Sequence, residues 1–326
     1  MESRQSNTVL ITGATGFVGS FLCDRLLEQG FSVRGTLLES ESATSLINGV
    51  LPVTVEQLGA DTPWSHTLAG INTIIHLAAR VHVMNDPSED PLAEFRKVNV
   101  EGTAQLAREA AKAGVRRLVF ISSIKVNGEE AAIPYTTESI PSPSDPYGIS
   151  KWEAELILRK IEVETGLEVV VIRPTLVYGP GVKANFLNMM KIVSSKIPLP
   201  LASIANKRSL IYVGNLVDAI ATCSVHPAAA GKTYLVSDDE DISTPELIRR
   251  TAKALGVTSS LFPIPIFLMR LAGKLTGKSG AVNRLAGSLT VNSSKICIEL
   301  GWVPPFTMND GLRLTAKWFK NKRMAR

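Results

Sequence analysis

Residues Thr8 to Gly19 read TVLITGATGFVG, and the order of side chains along them leaves few architectures open. Val9, Leu10, Ile11 and Thr12 make an apolar-rich run of strand length. Gly13, Gly16 and Gly19 follow at three-residue spacing, and from Phe17 onward the apolar residues Val18, Phe21, Leu22, Leu26 and Leu27 recur with helical period. Strand, glycine turn and helix in that order open a βαβ unit, in which bare backbone N–H groups and a helix N-terminus meet a pyrophosphate. Gly13 then makes the tight turn, Gly16 lets the phosphate approach, and Gly19 lets the helix pack closely on the sheet. The spacing is G-x-x-G-x-x-G rather than G-x-G-x-x-G, so the dinucleotide reading rests on the flanking strand and helix.

Further strands are expected at 31–38, near 52–57, at 72–79, 117–122 and 169–173. The run Asn72–Ala79 is continuously apolar in its middle, as in strands buried on both faces. Helices are expected at about 92–113, closed by Gly114, and at about 147–165, stopped by Gly166. Strands alternating with helices over the first 174 residues predict an α/β fold, a Rossmann-type doubly wound parallel sheet. Beyond Pro174 the pattern loosens. Helices are expected at 184–196, 214–225, 244–255, 293–300 and 308–320, with strands at 209–213 and 232–236. The reading is a dinucleotide-binding domain over 1–174 and a smaller C-terminal substrate-binding lobe over 175–326, partly interleaved with the last strands.

The 326 residues carry a net charge of +5, and part of the excess sits in the tail Lys317–Arg323, expected to be a solvated end rather than a nucleic-acid or membrane contact. Cys23, Cys223 and Cys297 are few, odd in number and far apart, with no metal-ligand spacing, as in a reducing compartment. MESRQSN carries no leader pattern and no apolar run reaches spanning length, so a cytoplasmic protein is expected. Pro263–Leu275 is apolar enough for a membrane-surface helix. A short, proline-started run of this kind is expected instead to pack within the small lobe.

Tyr147 and Lys151 stand four apart in YGISK, on one face if helical. A phenol is a poor base at neutral pH, with an ordinary pKa of about 10. An adjacent ammonium favours the phenolate, and so does an oxidised nicotinamide. The pair can then exchange a proton with a hydroxyl or carbonyl while hydride moves. Ser122 and Ser123, at the carboxyl end of the fifth strand, offer a hydroxyl to hold the same oxygen.

TGATGFVG (12–19), HLAA (76–79), Asn99 in VNVEGT, SSIKVNG (122–128) and YGISK (147–151) together resemble the extended short-chain dehydrogenase/reductases, in their nucleotide-sugar branch. That resemblance covers nearly the whole chain, through specific motifs only in its first two thirds. It implies Ser123, Tyr147 and Lys151 as the catalytic set. Ser123 is preferred to Ser122 because the branch places its working Ser or Thr three residues before the valine of Val-Tyr-Gly, here Val126. It implies cofactor contacts at Gly13, Thr15, Gly16, Phe17, Val18, Gly19, Leu77, Ala78 and Ala79, with Asn99 bracing the site and Tyr147 and Lys151 joining the contacts. His76 and His82 are expected to be structural. Asn185 and Arg208 match positions that contact the substrate's nucleotide and diphosphate. A homodimer is implied through helices near 92–113 and 147–164, with Phe95, Trp152 and Leu156 as contacts.

Three departures bear on activity. Dehydratases of the branch carry Asp-Glu after the catalytic Thr, where this chain has Ile124-Lys125, so loss of water is disfavoured. Leu37-Leu38-Glu39 lacks the acid or arginine expected for the adenosine ribose or its phosphate, although Arg34 and Glu39 lie nearby. NAD or NADP therefore both stay open, with NAD favoured. Leu176 replaces a common asparagine. The expected activity is NAD(P)-dependent oxidoreduction at C4 of a UDP-linked sugar, a 4-epimerase first and a UDP-4-keto-6-deoxy-sugar 4-reductase second. A small-ketone or aldehyde reductase would not need Arg208, and a dinucleotide-sensing regulator would not need the Tyr–Lys pair.

Overall fold

The computed structural model describes residues 7–81, 88–277 and 279–324. The first half runs β1 (Thr8–Thr12), α1 (Phe17–Glu28), β2 (Ser32–Leu38), β3 (Leu51–Val55), β4 (Thr73–His76), α2 (Pro91–Arg96), α3 (Gly102–Lys112), β5 (Arg117–Ile121), α4 (Pro146–Thr165) and β6 (Glu168–Pro174). It continues through β7 (Leu176–Tyr178), α5 (Ala184–Ser194), β8 (Arg208–Tyr212), α6 (Val213–Val225), β9 (Thr233–Val236), β10 (Asp241–Ile242) and α7 (Thr244–Leu255). Four helices close the chain: α8 (Ile266–Leu275), α9 (Ser279–Ala286), α10 (Ser294–Leu300) and α11 (Met308–Met324).

Seven parallel strands form one sheet in the order β3-β2-β1-β4-β5-β6-β9, the doubly wound arrangement expected. Alternation along the strands explains the two layers of helix. Val9 and Ile11, Val119 and Ile121, and Val170 and Ile172 face one core with α1 and α6. Leu10, Leu118 and Phe120, and Val169 and Val171 face the other with α3 and α4. Each such side chain, fully buried, contributes about 1.5–3 kcal/mol. The order reverses between β1 and β4, which opens a crevice at their carboxyl ends. Thr12 pairs with His76 there, at the last rung.

Several boundaries differ from the sequence reading. The 72–79 run ends as a strand at His76, because Thr12 Oγ1 accepts a hydrogen bond from Ala78 N (3.2 Å) and turns the chain out of the sheet. The helix expected over 92–113 is broken into α2 and α3 by a π-helical turn, Lys97–Glu101. A smaller sheet, β10-β8-β7, adds two strands too short to show a period. The Pro263–Leu275 expectation is met only on one side: Met269 packs against the main core and Gly273 is buried, while the other face of α8 stays exposed. Among the described residues no helix is long and apolar enough to cross a membrane. His82 lies outside the described residues.

Candidate active site

The glycine turn fills the crevice between β1 and β4. Gly13 has φ +72°, and a Cβ there would lie 2.9 Å from Ala78 N. A Cβ on Gly19 would lie 2.1 Å from the Gly13 carbonyl oxygen, so any side chain would push α1 off the turn. Gly16 is the N-cap of α1 and has no side chain to cap it, which leaves the first N–H groups of the helix, Phe17 and Val18 among them, without a capping oxygen. That cradle has the form and polarity a pyrophosphate needs. Leu77, Ala78 and Ala79 border it, half-buried.

Glu41 is a residue the sequence reading missed. Its carboxylate accepts from Thr15 Oγ1 (2.7 Å) and from Leu38 N (2.9 Å), so an acid stands where β2 meets the glycine turn. The reading looked for it at 37–39, but the chain turns back after Leu38 and brings in an acid three residues later. Arg34, named as a neighbour, is engaged elsewhere: its Nη1 donates to the Ala69 carbonyl at 2.9 Å. A carboxylate in this place suits the ribose of NAD and repels the phosphate of NADP. The residues present therefore fit NAD.

Asn99 projects from the π-helical turn and is buried. Its Nδ2 donates to the Arg80 carbonyl and to Ser150 Oγ, both at 3.0 Å, and its Oδ1 accepts from Arg80 N at 2.8 Å. It thus clamps the loop after β4 to the first turns of α4. His76 lies below, stacked on Phe120. Its Nδ1 lies 2.6 Å from Thr12 Oγ1 and its Nε2 3.0 Å from Thr103 Oγ1, so both ring nitrogens are hydrogen-bonded. Burial, with the nearby Lys151 charge, pulls this imidazole down to about 3. It is a neutral structural group.

Helix α4 begins with Asp145 as N-cap, accepting from Gly148 N at 2.7 Å, and Pro146 in its first turn. Tyr147 is thereby fixed in the first turn, edge-on to Phe95. Phe95, expected at a subunit contact, is buried within this chain. Lys151, one turn on, is buried, with Nζ 5.9 Å from the centre of the Tyr147 ring, 4.4 Å from that of Phe120, and donating to the Ile121 carbonyl at 2.8 Å. Burial pulls its ammonium down to about 7, against an opposing pull from Glu155. Burial, then the Asp145 charge, pushes the Tyr147 phenol up. Both groups are thus held away from their charged forms.

The two serines separate cleanly. Ser122 is buried and donates to Glu155 Oε1, whose carboxylate also takes a two-point contact from Arg173 (2.6 and 2.9 Å). Ser123 is half-buried and caps the short 3-10 turn Ile124–Val126, accepting from Lys125 N at 3.2 Å. Lys125, which replaces the dehydratase acid, pairs with Asp145 and, at 3.3 Å, with Glu129. Arg208 opens β8, and its Nη1 donates to the carbonyls of Arg284 (2.7 Å) and Gly287 (3.0 Å), beside the Glu129–Glu130 loop that follows Ser123. Asn185 is exposed in the first turn of α5. No direct contact joins either to Tyr147 among the described residues. Nor do those residues hold a cluster of three or more His, Cys, Asp or Glu fit for a metal.

The sequence profile of the NAD dependent epimerase/dehydratase family matches residues 9–237. The chain is 45% identical over 322 residues to a UDP-glucose 4-epimerase of Vibrio cholerae, covering 98% of this chain and 97% of that protein. It is 27% identical over 328 residues to the N-acetyl-alpha-D-glucosaminyl-diphospho-ditrans,octacis-undecaprenol 4-epimerase of Escherichia coli O157:H7, covering 96% and 95%. In fold it is similar to the crystal structure of the Thermotoga maritima UDP-glucose 4-epimerase with UDP-glucose, with a TM-score of 0.76 at 23% identity, covering 97% of this chain and 99% of that one. The glycine cradle, the Tyr147–Lys151 turn and this near full-length similarity have one common reading: the chain belongs to the NAD dependent epimerase/dehydratase family.

Proposed function

We propose that the protein is an NAD-dependent 4-epimerase of a UDP-hexose, and the observation that carries this reading is the 45% identity to the Vibrio cholerae UDP-glucose 4-epimerase over nearly the whole chain. The cradle of Gly13, Gly16 and Gly19 would hold NAD, with Glu41 on its ribose, and the cofactor would supply the acceptor and donor of the C4 hydride and a cationic ring that favours the Tyr147 phenolate. Tyr147 Oη takes the proton of the C4 hydroxyl and gives it back to the 4-keto oxygen. Lys151, anchored on Ile121, supplies the cation that steadies the phenolate, and Ser123 Oγ holds the sugar oxygen. The keto sugar turns over between the two transfers, so that the returning hydride reaches the other face of C4 while the proton goes back to its oxygen. Ile124 and Lys125 follow Ser123 where dehydratases carry their acids, and Lys125 pairs with Asp145, so loss of water is disfavoured.

Arg208, with Nη1 fixed on two carbonyls, would turn the rest of its fork to the diphosphate, and Asn185 would meet the nucleotide. The reading includes a division at Pro174, with the substrate contacts on the later side. It also includes a cytoplasmic homodimer through α2, α3 and α4. Trp152 and the exposed Leu156 support that interface. The test is incubation with UDP-glucose or UDP-N-acetylglucosamine without reductant, followed by NMR of the sugar. The galacto epimer is expected. Failure to convert either, with stoichiometric NAD(P)H consumption on a UDP-4-keto-6-deoxy sugar, would replace epimerase by reductase.

A further inference from the structure

Helices α8 and α9 form a hairpin whose outer face has no partner among the described residues. Gly273 sits against Val282 of α9, and Met269 reaches the main core, so one side of α8 is attached. On the opposite side Phe267, Leu268, Leu271 and Leu275 are 67, 43, 52 and 80% exposed. At about 100° per residue these four fall within an arc of about 100°, with Arg270 and Lys274 along one edge of it.

The charge around this face is one-sided. Residues 247–298 hold eight Lys and Arg and no Asp or Glu, whereas the rest of the chain has 27 Lys and Arg against 30 Asp and Glu. The net excess of positive charge thus falls in this stretch. Arg249, Arg250 and Lys295 are paired with Glu246, Glu240 and Glu138, while the hairpin itself, 266–286, holds Arg270, Lys274, Lys278 and Arg284 and no Asp or Glu. The hairpin is also tied to the proposed substrate side. Arg208 holds the Arg284 carbonyl, and Asn206 Nδ2 and Thr244 Oγ1 both donate to the Leu285 carbonyl, at 3.2 and 2.9 Å.

We infer that the α8–α9 hairpin is an interfacial docking element, which lays Phe267, Leu268, Leu271 and Leu275 into the surface of an anionic bilayer. An apolar arc flanked by cations is the pattern of a helix lying in the plane of such a surface, with its bases at the headgroups. A second copy of the chain fits this face poorly. A two-fold contact would bring two cationic faces together, since the hairpin offers Arg270, Lys274 and Arg284 and no carboxylate to offset them. The inference is independent of which C4 reaction the site performs.

The test uses the full chain with vesicles of phosphatidylcholine alone and of phosphatidylcholine with phosphatidylglycerol. Sedimentation with the second kind is expected, weakening as salt rises. The double variant Phe267→Ser/Leu271→Ser should partition at least about tenfold less, with its circular dichroism and its turnover without vesicles unchanged. Arg270→Ala/Lys274→Ala should lose the preference for phosphatidylglycerol. The inference is overturned if the protein stays in solution with both kinds of vesicle, or if the double variant binds as well as the parent. It is equally overturned if the parent sediments in the ultracentrifuge as a dimer that the double variant dissociates.

Discussion

Lys151 Nζ donates to the carbonyl oxygen of Ile121 at 2.8 Å, a bond that fastens the start of α4 to the carboxyl end of β5. The cation lies one turn from Tyr147, in a place where burial opposes its charge. Replacing Tyr147 by Phe removes only the oxygen that exchanges the proton. Turnover should fall by about 10²–10⁴-fold with dinucleotide affinity retained, read by steady-state kinetics and by titration of NAD. Activity within a fewfold of the parent would remove Tyr147 from the catalytic set.

The same burial makes Lys151 a source of pH dependence in stability. Its ammonium is pulled from the ordinary 10.5 to about 7 in the fold. Between those values the unfolded chain binds the proton that the folded chain has released, so stability rises with pH from about 7 to 10.5 by up to ~1.4 kcal/mol per pH unit. Below about 7 the penalty is fully present. Lys151→Met should flatten this rise in urea unfolding curves compared at pH 7 and 9, while abolishing activity. An unchanged slope would place the titration elsewhere.

Ser122 and Ser123 should part company on mutation. Ser122→Ala takes a donor from the buried Glu155 carboxylate and should cost about 1.5–3 kcal/mol of stability, with modest change in kcat. Ser123→Ala loosens only a 3-10 cap in the fold and should lower kcat while unfolding nearly as the parent does. Paired thermal melts and kinetics decide the matter, and the reverse pattern would exchange the two roles.

Arg208→Ala should act twice. Its guanidinium holds the Arg284 and Gly287 carbonyls, so truncation should cost about 1–3 kcal/mol of stability as well as raise KM for the UDP sugar. NAD affinity should be nearly unchanged, since no described contact joins Arg208 to the glycine turn. Equal weakening of both ligands in calorimetry would make Arg208 a scaffold residue only.

What the sequence displayed follows from how each element is stabilised. β1, β5 and β6 are buried on both faces, so their middle residues, Val9–Ile11, Leu118–Ile121 and Val169–Ile172, form unbroken apolar runs that mark the strands. The glycine turn was visible because Gly13 and Gly19 answer to steric contacts of a few ångströms that no other residue satisfies. β7 and β10 are too short for a period, and the π-helical turn at Asn99 keeps the helical pattern while inserting one residue, so neither left a trace. Glu41 was hidden because its place depends on a turn after Leu38, not on distance along β2. The fate of α8 was equally hidden. An apolar stripe records that a helix has two faces, and whether the apolar one is covered is decided by what the rest of the chain leaves room for.

Lys125 and Asp145 lend themselves to a final prediction, because the position that carries an acid in dehydratases here neutralises one. Asp145 caps α4 two residues before Tyr147, and its charge helps to push the phenol up. Lys125 pairs with that carboxylate and so moderates it. Lys125→Met leaves the carboxylate uncompensated, the phenolate becomes harder to form, and the acid limb of the kcat–pH profile should move to higher pH. Asp145→Asn removes the charge but keeps the cap, since Asn caps a helix as well as Asp, and should move the limb to lower pH. Lys125→Arg should restore the parent profile. The pair is half-exposed, so its own contribution to stability is at most about 1 kcal/mol, and melting temperatures should change little. Opposite shifts of the limb in the two variants, at nearly constant stability, would show that the charge at the start of α4 sets the working pH. Profiles that superimpose on the parent would show that it does not.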